Sequence, residues 1–405
     1  MNERGKQNVD DEPRLAGWRS DTPGCSERIH LNNAGAALMP RQVSDAIHNH
    51  IDLESRIGGY EASDDQRDAI ASVYDDVAKL VDASPRNIAI VGSATAAFVQ
   101  AITSFDFSTG DVIVTSRSDY TSYQIQYLVL SKRAGVRIVH AEDLPEGGID
   151  PESLRKILAR EKCKLVSVSW MPTHSGLIQD AAAVGLVCEE AGVPLHLDAC
   201  QAVGQVAIDA KELRCDYLSA TGRKFLRGPR GIGFLYASDR ALERGDYPLF
   251  VDMRGAEWIS PSEFKVVDSA KRYEDWEFAY ALVLGMGAAA RYASEQGIAG
   301  TGLRARSLAA RLRHRLTEIP GIRVLDPGSG KSAIVTFDHE RIAASELVDT
   351  LERERINTVS SQRWYGLLDF SERGVEAAVR ASPHYYNSVA EVDLLADTVR
   401  EAVSG

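Results

Sequence analysis

The sequence predicts an α/β protein whose largely parallel sheet is followed by a smaller α+β domain. In residues 66–236, short apolar runs bounded by turn residues alternate with amphipathic stretches, as strands alternate with helices in a parallel sheet. After about residue 300 the pattern changes to a basic helix, two strands and further helices. The length of 405 residues also exceeds what a single hydrophobic core usually supports, so two packed domains are expected.

Four apolar runs are predicted to be buried strands of the large sheet. They lie at 112–114, 165–168, 195–197 and 233–236. Between them, residues 66–82 and 180–191 place apolar residues at helical spacing, and Pro151 followed by Glu152 opens another helix. This alternation favours a sheet covered by helices on both faces.

The C-terminal part is predicted to be a separate α+β unit. Its predicted elements are a basic helix at 302–317, strands at 322–325 and 333–337, and helices at 343–354 and 389–403. Gly328–Ser332 resembles a nucleotide phosphate loop, but that motif requires glycine where Leu325 stands and a helix directly after the loop. A hairpin turn is predicted there instead.

Composition argues against several classes of protein. Hydrophobic residues make up 44% and charged residues 26%, as in ordinary globular proteins. No apolar run approaches the roughly 18 residues of a membrane span, so no membrane is expected as a partner. The net charge of −12 and scattered basic residues disfavour nucleic acid. Because the N-terminus is polar, with no apolar core like that of a secretory signal, a cytoplasmic location is expected.

The cysteines and histidines do not form a metal-binding pattern. The five cysteines are dispersed without a CxxC pair, which favours reduced thiols. His174 and His196 have no cysteine, histidine or aspartate at ligand spacing, so no metal site is predicted. Cys200 lies between Asp198 and Gln201 and is interpreted as a small buried packing residue.

The most informative stretch of the chain runs from residue 196 to residue 236. Asp198 ends an apolar run, Gln201 follows three residues later, and Lys224 follows Asp198 by 26 residues in a glycine-flanked turn. Pyridoxal 5′-phosphate (PLP) chemistry needs such a pair, because a lysine forms the Schiff base and an acid keeps the pyridine nitrogen protonated. Alone, the aspartate would be read as a helix cap and the lysine as a surface residue. Their joint occurrence favours the cofactor.

Residues 166–236 resemble class V of the fold-type I PLP enzymes, which includes cysteine desulfurases, isopenicillin N epimerase and hercynylcysteine sulfoxide lyases. The residues that carry the resemblance are Asp198, Gln201, Thr221 and Lys224, with Arg223 in place of the usual histidine. The resemblance implies the PLP-dependent transferase fold type I, with a mostly parallel seven-stranded sheet in the large domain. It also implies a homodimer with active sites at the interface and a small-molecule amino-acid substrate.

Four parts of the chain are predicted on this basis. They are a flexible N-terminal lead-in at 1–27, a segment at 28–45 that packs with the small domain and the active site, a large PLP-binding domain at 46–290 and a small domain at 291–405.

The resemblance also assigns cofactor contacts. Asp198 would hold the pyridinium proton, Gln201 would donate a hydrogen bond to the phenolate oxygen, and Lys224 would move the Cα proton. Tyr120 would stack on the ring and pass a proton. Small residues before the predicted helix 96–104 suit an anion at a helix N-terminus. The remaining predicted cofactor contacts are Ala94, Thr95, Thr173, Thr221 and Arg223.

Substrate contacts are predicted around a carboxylate clamp. Arg380, in a motif resembling the family's Arg-x-Ser, would bind the α-carboxylate through two hydrogen bonds. The other predicted substrate contacts are Asn32, Asn33, His174 and Arg254, and the segment around Arg254 resembles one that reaches the active site across the dimer interface.

The reaction expected is cleavage of a carbon–sulfur bond in an S-substituted cysteine. A persulfide-forming desulfurase needs a cysteine in the C-terminal domain, and none follows Cys215. Cα deprotonation followed by β-elimination would give pyruvate, ammonia and a thiol or sulfenate. An epimerase is the alternative, with Tyr120 or His174 as the second base, followed by transamination or other Cα chemistry.

Overall fold

The N-terminal segment of the chain is folded against the rest of the protein. The structure, a computed structural model, describes residues 12–404. Helix α1 (Glu12–Ser20) is followed by a 3₁₀ turn and by the short strand β1 (Ile29–His30). The Trp18 ring is 5% exposed and packs edge-on against Tyr385, with 5.0 Å between ring centroids. The predicted flexible lead-in is therefore wrong for 12–27, and its residues 1–11 lie outside the described part. A docking contact of this kind leaves no local pattern in the sequence.

A seven-stranded sheet forms the large domain, as predicted. Its strands are β2 (Ile88–Val91), β3 (Val112–Thr115), β4 (Arg137–His140), β5 (Cys163–Ser169), β6 (Leu195–Asp198), β7 (Tyr217–Thr221) and β8 (Gly233–Ala237). The order across the sheet is β2-β8-β7-β6-β5-β3-β4. Of these strands, β8 runs antiparallel to both neighbours and the other six share one direction. The four strands predicted from apolar runs lie in β3, β5, β6 and β8.

Helices cover both faces of this sheet. They are α2 (Arg41–Ile57), α3 (Gly59–Asp65), α4 (Arg67–Lys79), α5 (Ala94–Ile102), α6 (Thr121–Ala134), α7 (Pro151–Arg160), α8 (Ala181–Ala191), α9 (Asp239–Glu243) and α10 (Tyr280–Gln296). Val114 and Val166 pack in the core with α4, α8 and α10. Ile113 and Leu165, which point to the opposite face, pack with α5 and α6. The alternation along each strand thus builds two apolar layers.

An exposed hairpin extends from the large domain. Strands β9 (Ala256–Ser260) and β10 (Glu263–Val266) pair in antiparallel fashion. Trp258 and Phe264 face each other across this pair, and their side chains are 79% and 54% exposed. The hairpin therefore presents large apolar side chains outside any core of this chain.

The C-terminal part has its own sheet and its own core. Its elements are α11 (Ile298–Thr317), β11 (Ile322–Val324), β12 (Val335–His339), α12 (Ala344–Arg353), β13 (Ile356–Asn357), β14 (Val359–Gln362), α13 (Leu367–Glu372), β15 (Ala377–Ala381) and α14 (Val389–Ser404). The antiparallel sheet has the order β11-β12-β15-β14. Gly328–Ser332 connects the antiparallel strands β11 and β12, so the hairpin prediction holds. Strand β1 pairs with β13, which joins the N-terminal segment to this unit.

The described residues contain neither a membrane-spanning helix nor a cluster of metal-ligating side chains. No helix within residues 12–404 is long and apolar enough to cross a bilayer. Across the same residues, no group of three or more histidine, cysteine, aspartate and glutamate side chains is arranged to hold a metal ion.

Candidate active site

The predicted cofactor residues converge at the carboxyl ends of the parallel strands, where ligands bind in sheets of this type. Asp198 ends β6, Thr221 ends β7, and Ser169 ends β5. All nine predicted contacts line one inner cavity: Ala94, Thr95, Tyr120, Thr173, Asp198, Gln201, Thr221, Arg223 and Lys224. Proximity in space is thus established for the whole set, and their roles remain predictions.

Lys224 lies in a tight turn between β7 and β8. Its carbonyl accepts a hydrogen bond from Arg227 N–H at 2.9 Å, and Gly228 N–H donates to the Gly222 carbonyl at 2.8 Å. The lysine side chain is 7% exposed. Burial lowers the pKa of Lys224 because the charged ammonium loses solvation. A larger neutral fraction makes this amine a better nucleophile and base.

Arg227 anchors the turn that carries Lys224. This arginine is fully buried and adopts a left-handed backbone conformation with φ of 63°, which is uncommon without glycine. Its guanidinium lies 4.5 Å from the Tyr386 ring centroid and donates to the Tyr385 hydroxyl and the Leu38 carbonyl at 2.7 and 2.9 Å. The N-terminal and C-terminal segments are therefore tied to the lysine turn. No local signal in the sequence indicates this role.

Asp198 is held in a layer of buried polar groups. One carboxylate oxygen accepts the Cys200 N–H at 2.9 Å, and the other lies 3.4 Å from the Ser169 hydroxyl. That hydroxyl also hydrogen-bonds to Asp119, which accepts from Thr115 at 2.8 Å. Burial raises the pKa of Asp119 to about 6, against the effect of its hydrogen bonds. The two carboxylates are thus linked through one serine.

His196 lies behind this layer and remains neutral. Its two ring nitrogens hydrogen-bond to the hydroxyls of Ser167 and Ser219 at 2.9 and 3.0 Å. Burial lowers the pKa of His196 to about 3. Tyr127 also bonds to Ser167, and through its other contact with Asp119 connects the histidine to the carboxylate layer. The sequence analysis rejects His196 as a metal ligand and predicts no other role for it.

The loop after β2 offers an anion site. Ser93 caps α5, its hydroxyl accepting the Ala96 N–H at 3.0 Å. The helix begins at Ala94, two residues before the predicted start. The N–H groups of Ala94 and Thr95 belong to the first turn, which leaves its donors without partners inside the helix. A Cβ at Gly233 would lie 2.5 Å from the Ala220 carbonyl oxygen and 3.0 Å from Ala94 N, so glycine lets β8 approach this loop closely.

An outer cavity adjoins the inner one and contains the predicted carboxylate clamp. The two cavities share Tyr120, Thr173, Arg223 and Lys224. Arg380, on β15, donates to the Thr173 hydroxyl at 2.9 Å and to the Asn32 side-chain oxygen at 3.1 Å. Burial lowers the pKa of Arg380 to about 10, and its buried Nε has no partner among the described residues. Both predicted contacts, Arg380 and Asn32, thus line the outer cavity.

Three predicted substrate residues do not line either cavity of this chain. The Asn33 amide is fully buried and donates to the Ser382 carbonyl at 2.7 Å. His174 is also fully buried, with Nε2 3.3 Å from an Asp369 oxygen. Arg254 packs its guanidinium 4.2 Å from the Phe278 ring centroid. Asn33 and His174 directly follow residues that do line the cavities, and sequence adjacency does not specify which side chain points inward. A contact of Arg254 across a dimer interface stays a prediction.

Several lining residues were not predicted. The inner cavity adds Tyr123, Ser169, Met171 and Cys200, and the outer cavity adds His30, Arg230, Val359, Ser361 and Tyr365. Ser169 could have been found because it directly follows the strand predicted at 165–168, which pairs with β6. Tyr365 comes from the C-terminal unit, and no motif marks it. Cys200, interpreted as packing, lines the cavity, and burial raises its pKa well above the usual value, which favours the protonated thiol.

Comparisons with known proteins identify a matching family and relatives that span most of the chain. The model of the class-V aminotransferase family matches residues 29–395. A probable cysteine desulfurase from Synechocystis is 26% identical over 392 residues, covering 93% of this chain and 91% of the relative. A probable cysteine desulfurase from Pyrococcus abyssi is also 26% identical, covering 95% of this chain and 96% of the relative.

Solved structures show the same fold. The apo cysteine desulfurase from Thermococcus onnurineus aligns with a TM-score of 0.88 at 23% identity, covering 96% of this chain and 98% of that structure. The cystine C–S lyase C-DES, in complex with cysteine persulfide, aligns with a TM-score of 0.83 at 21% identity, covering 93% and 99%.

Proposed function

This chain belongs to the class-V aminotransferase family, and from that premise we propose that it is a PLP-dependent lyase that cleaves the C–S bond of an S-substituted cysteine. The family assignment identifies the enzyme as PLP-dependent. The observation that carries the proposal is a buried lysine, Lys224, that lines both cavities, with Asp198 in the lining of the inner one and Arg380 in the lining of the outer one.

The residues present fit the cofactor. The buried Oε1 atom of Gln201 has no hydrogen-bond partner among residues 12–404, so a polar group in the cavity would satisfy this amide. Asp198 would pair with the pyridine nitrogen and Lys224 would hold the aldehyde carbon. The first-turn N–H groups of Ala94 and Thr95 would receive the phosphate. When bound, the cofactor accepts the electron pair released at Cα.

Side chains of this protein would then remove the proton and hold the substrate during elimination. Lys224 takes the Cα proton, and burial lowers its pKa, which increases the fraction of the amine that is free to act as a base. The Cβ–S bond breaks with its electron pair leaving on sulfur as thiolate or sulfenate. Hydrolysis of the three-carbon remainder gives pyruvate and ammonia. Arg380 and Asn32 would hold the α-carboxylate so that the Cα–H bond faces the lysine.

The relatives support chemistry at a C–S bond. Those named above are described as cysteine desulfurases or as a cystine C–S lyase. A persulfide-forming desulfurase would need a thiol to accept sulfur, and all five cysteines precede residue 216. The cavity thiol, Cys200, is buried and favours its protonated form. These features support elimination over persulfide transfer.

Epimerisation is the second candidate. It needs a base on the opposite face of Cα, and His174 lines neither cavity. Tyr120, which lines both, is the remaining candidate for that base. Transamination would use the same Cα deprotonation but would return the proton to the cofactor's carbon.

One incubation in D₂O distinguishes these reactions. The PLP-loaded protein would be mixed with S-substituted cysteines and their sulfoxides, and with free cysteine, and products followed by NMR and mass spectrometry. Pyruvate with a thiol or sulfenate is the expected result. Deuterium at an inverted Cα without pyruvate would identify an epimerase. Alanine and persulfide from free cysteine would identify a desulfurase.

Replacing Lys224 tests the role on which the proposal depends. Lys224→Ala should abolish turnover and the visible absorbance of the bound cofactor, because no amine remains to hold it covalently. The exposed Lys211→Ala is the matched control and should behave like the unmodified protein. Full turnover by the Lys224 variant would overturn the assignment.

We also propose a homodimer. Its support is the exposed apolar surface around the β9–β10 hairpin, where Phe250 is 83% exposed, together with the implied position of the active site at a subunit interface. A cytoplasmic location stays a prediction.

A further inference from the structure

The outer cavity is lined by cations without any acidic residue. Its lining includes Arg223, Lys224, Arg230 and Arg380, and no aspartate or glutamate is among the described residues that line it. The chain as a whole carries a net charge of −12, so this is a local concentration of positive charge against the overall balance. A concave, positively charged site attracts anions and holds them at high local concentration.

Two of the three arginines in this cavity already have partners. Arg380 donates to the Thr173 hydroxyl at 2.9 Å and to Asn32, and it is the predicted α-carboxylate clamp. Arg223 donates to the Gly35 carbonyl. Arg230 is exposed and has neither a side-chain hydrogen bond nor an ion pair with any residue in the range 12–404. It is the lining arginine that is ready to bind a group from outside the chain.

The neighbouring guanidiniums destabilise each other. Burial lowers the pKa of Arg223, and the charge of Arg230 lowers it further. The repulsion between two like charges that line one cavity falls when an anion binds between them. Arg223 lines both cavities, whereas Arg230 lines only the outer one, so Arg230 faces the substrate side rather than the predicted phosphate site.

We propose that Arg230, with Arg223 beside it, binds a second anionic group on the substrate, so that the preferred S-substituted cysteine carries a carboxylate on its sulfur substituent. This specificity rests on the proposed lyase function and deepens it. Arg380 takes the α-carboxylate and Arg230 takes the distal one. A substrate with a neutral group on sulfur would leave the guanidinium of Arg230 without an anionic partner.

The kinetic test compares two substrates of the same shape. S-carboxymethyl-cysteine should be turned over with a kcat/KM about 10- to 100-fold higher than S-carbamoylmethyl-cysteine, the range expected for hydrogen bonds to a charged group. Arg230→Gln should remove this preference by slowing only the carboxylate substrate, and Arg230→Lys should restore part of it. Arg353→Gln, at an exposed arginine of α12, is the control that should leave the ratio unchanged.

A binding test separates this inference from the lyase function. 2-Aminoadipate has the chain length of S-carboxymethyl-cysteine but carries carbon in place of sulfur, so it cannot undergo the elimination. Calorimetry on the PLP-loaded protein should show that it binds more tightly than its 6-amide, and that Arg230→Gln removes the difference. If this binding preference is found but neither S-carboxymethyl-cysteine nor S-carbamoylmethyl-cysteine undergoes elimination, the anion site is supported and the lyase function is overturned. Elimination from the S-carboxymethyl and S-carbamoylmethyl substrates with equal kcat/KM would overturn the anion site alone. The same conclusion would follow if Arg230→Gln lowered the affinity for PLP without changing the preference for the carboxylate substrate.

Discussion

Burial shifts the pKa values of three titratable side chains in and beside the two cavities. It lowers the pKa of Lys224 and of Arg380, and it raises the pKa of Asp119. Each shift moves the group toward its neutral form, because a low-dielectric site penalises charge. For Lys224 the shift favours reaction at its amine. Arg380 stays largely charged at neutral pH even with a pKa of about 10. Burial therefore strengthens its electrostatic attraction for a carboxylate.

Arg380→Ala should mainly raise KM. Loss of charged hydrogen bonds worth about 1.5–3 kcal/mol each predicts a rise of about tenfold or more, with a smaller effect on kcat. Steady-state kinetics with S-substituted cysteines would measure both constants, and the melting temperature would check the fold. Arg380→Lys should keep part of the affinity. An unchanged KM in the alanine variant would remove Arg380 from the substrate site.

His196 should make the protein less stable in acid. Its folded pKa of about 3 lies below the unfolded value of about 6.5, so the unfolded chain binds a proton in that interval and the folded chain does not. Stability is therefore lost as pH falls from about 6.5 toward 3. His196→Gln does not titrate, so its free energy of unfolding should fall by about 2 kcal/mol less than that of the unmodified protein between pH 7.5 and 5. Urea titrations at the two pH values would measure this, and parallel losses would contradict it.

At the scale of elements, the turn that carries Lys224 is positioned by segments distant in sequence. Arg227 links this turn to the aromatic rings of Tyr385 and Tyr386 and to the Leu38 carbonyl. Helix α1 packs onto the same aromatic group through Trp18. The N-terminal segment is therefore part of the framework of the site, because the lysine turn and this segment share one set of contacts.

Trp18→Ala should release the N-terminal segment. The ring packs against Tyr385, and its Nε1 donates to the Gln296 side chain at 2.9 Å. Truncating a buried aromatic ring costs about 3–5 kcal/mol, so the open population should rise by at least about a hundredfold. Limited proteolysis and hydrogen exchange over residues 12–26 would report it. Glu27→Ala, at an exposed position of the same segment, is the control. Equal protection in both variants would show that the ring does not hold the segment.

For the whole molecule, the exposed apolar surface is the main unexplained feature of a single chain. Leu249, Phe250 and Met253 are 67%, 83% and 66% exposed. Tyr247 contacts Phe264 of the hairpin at 6.2 Å between ring centroids, which joins the loop and the hairpin into one surface. A contiguous surface of large apolar side chains marks an interaction site.

Phe250→Asp should weaken the proposed homodimer. A charge in the centre of an apolar interface loses its solvation on association, so the dissociation constant should rise by about tenfold or more. Sedimentation velocity over a range of protein concentrations would measure it. Leu394→Asp, at a 46% exposed leucine of α14, is the matched control. A protein that is monomeric before any substitution would contradict the dimer.

The sequence by itself determined the family, the cofactor and a set of residues that line the inner cavity. Asp198, Gln201, Thr221 and Lys224 lie at the ends of strands or in the turns that follow them, and parallel strands bring such ends together at one edge of a sheet. Local spacing is therefore enough to place them in one cavity. The alternation of apolar runs and helices likewise predicted a largely parallel sheet and four of its strands, since both periodicities are local. The count of seven strands came from the family resemblance.

Only the tertiary structure decided which side chains from distant segments and loops line the cavities. Asn33 and His174 line neither cavity, and Tyr365 and Arg230 line the outer one. Residues 12–20 form a helix where a flexible lead-in was predicted. The buried Arg227 and its aromatic partners are separated by more than 150 residues along the chain. Such contacts depend on how separately folded units meet, and the direction of a loop side chain depends on that packing. Neither is encoded in the spacing of residues along a single segment.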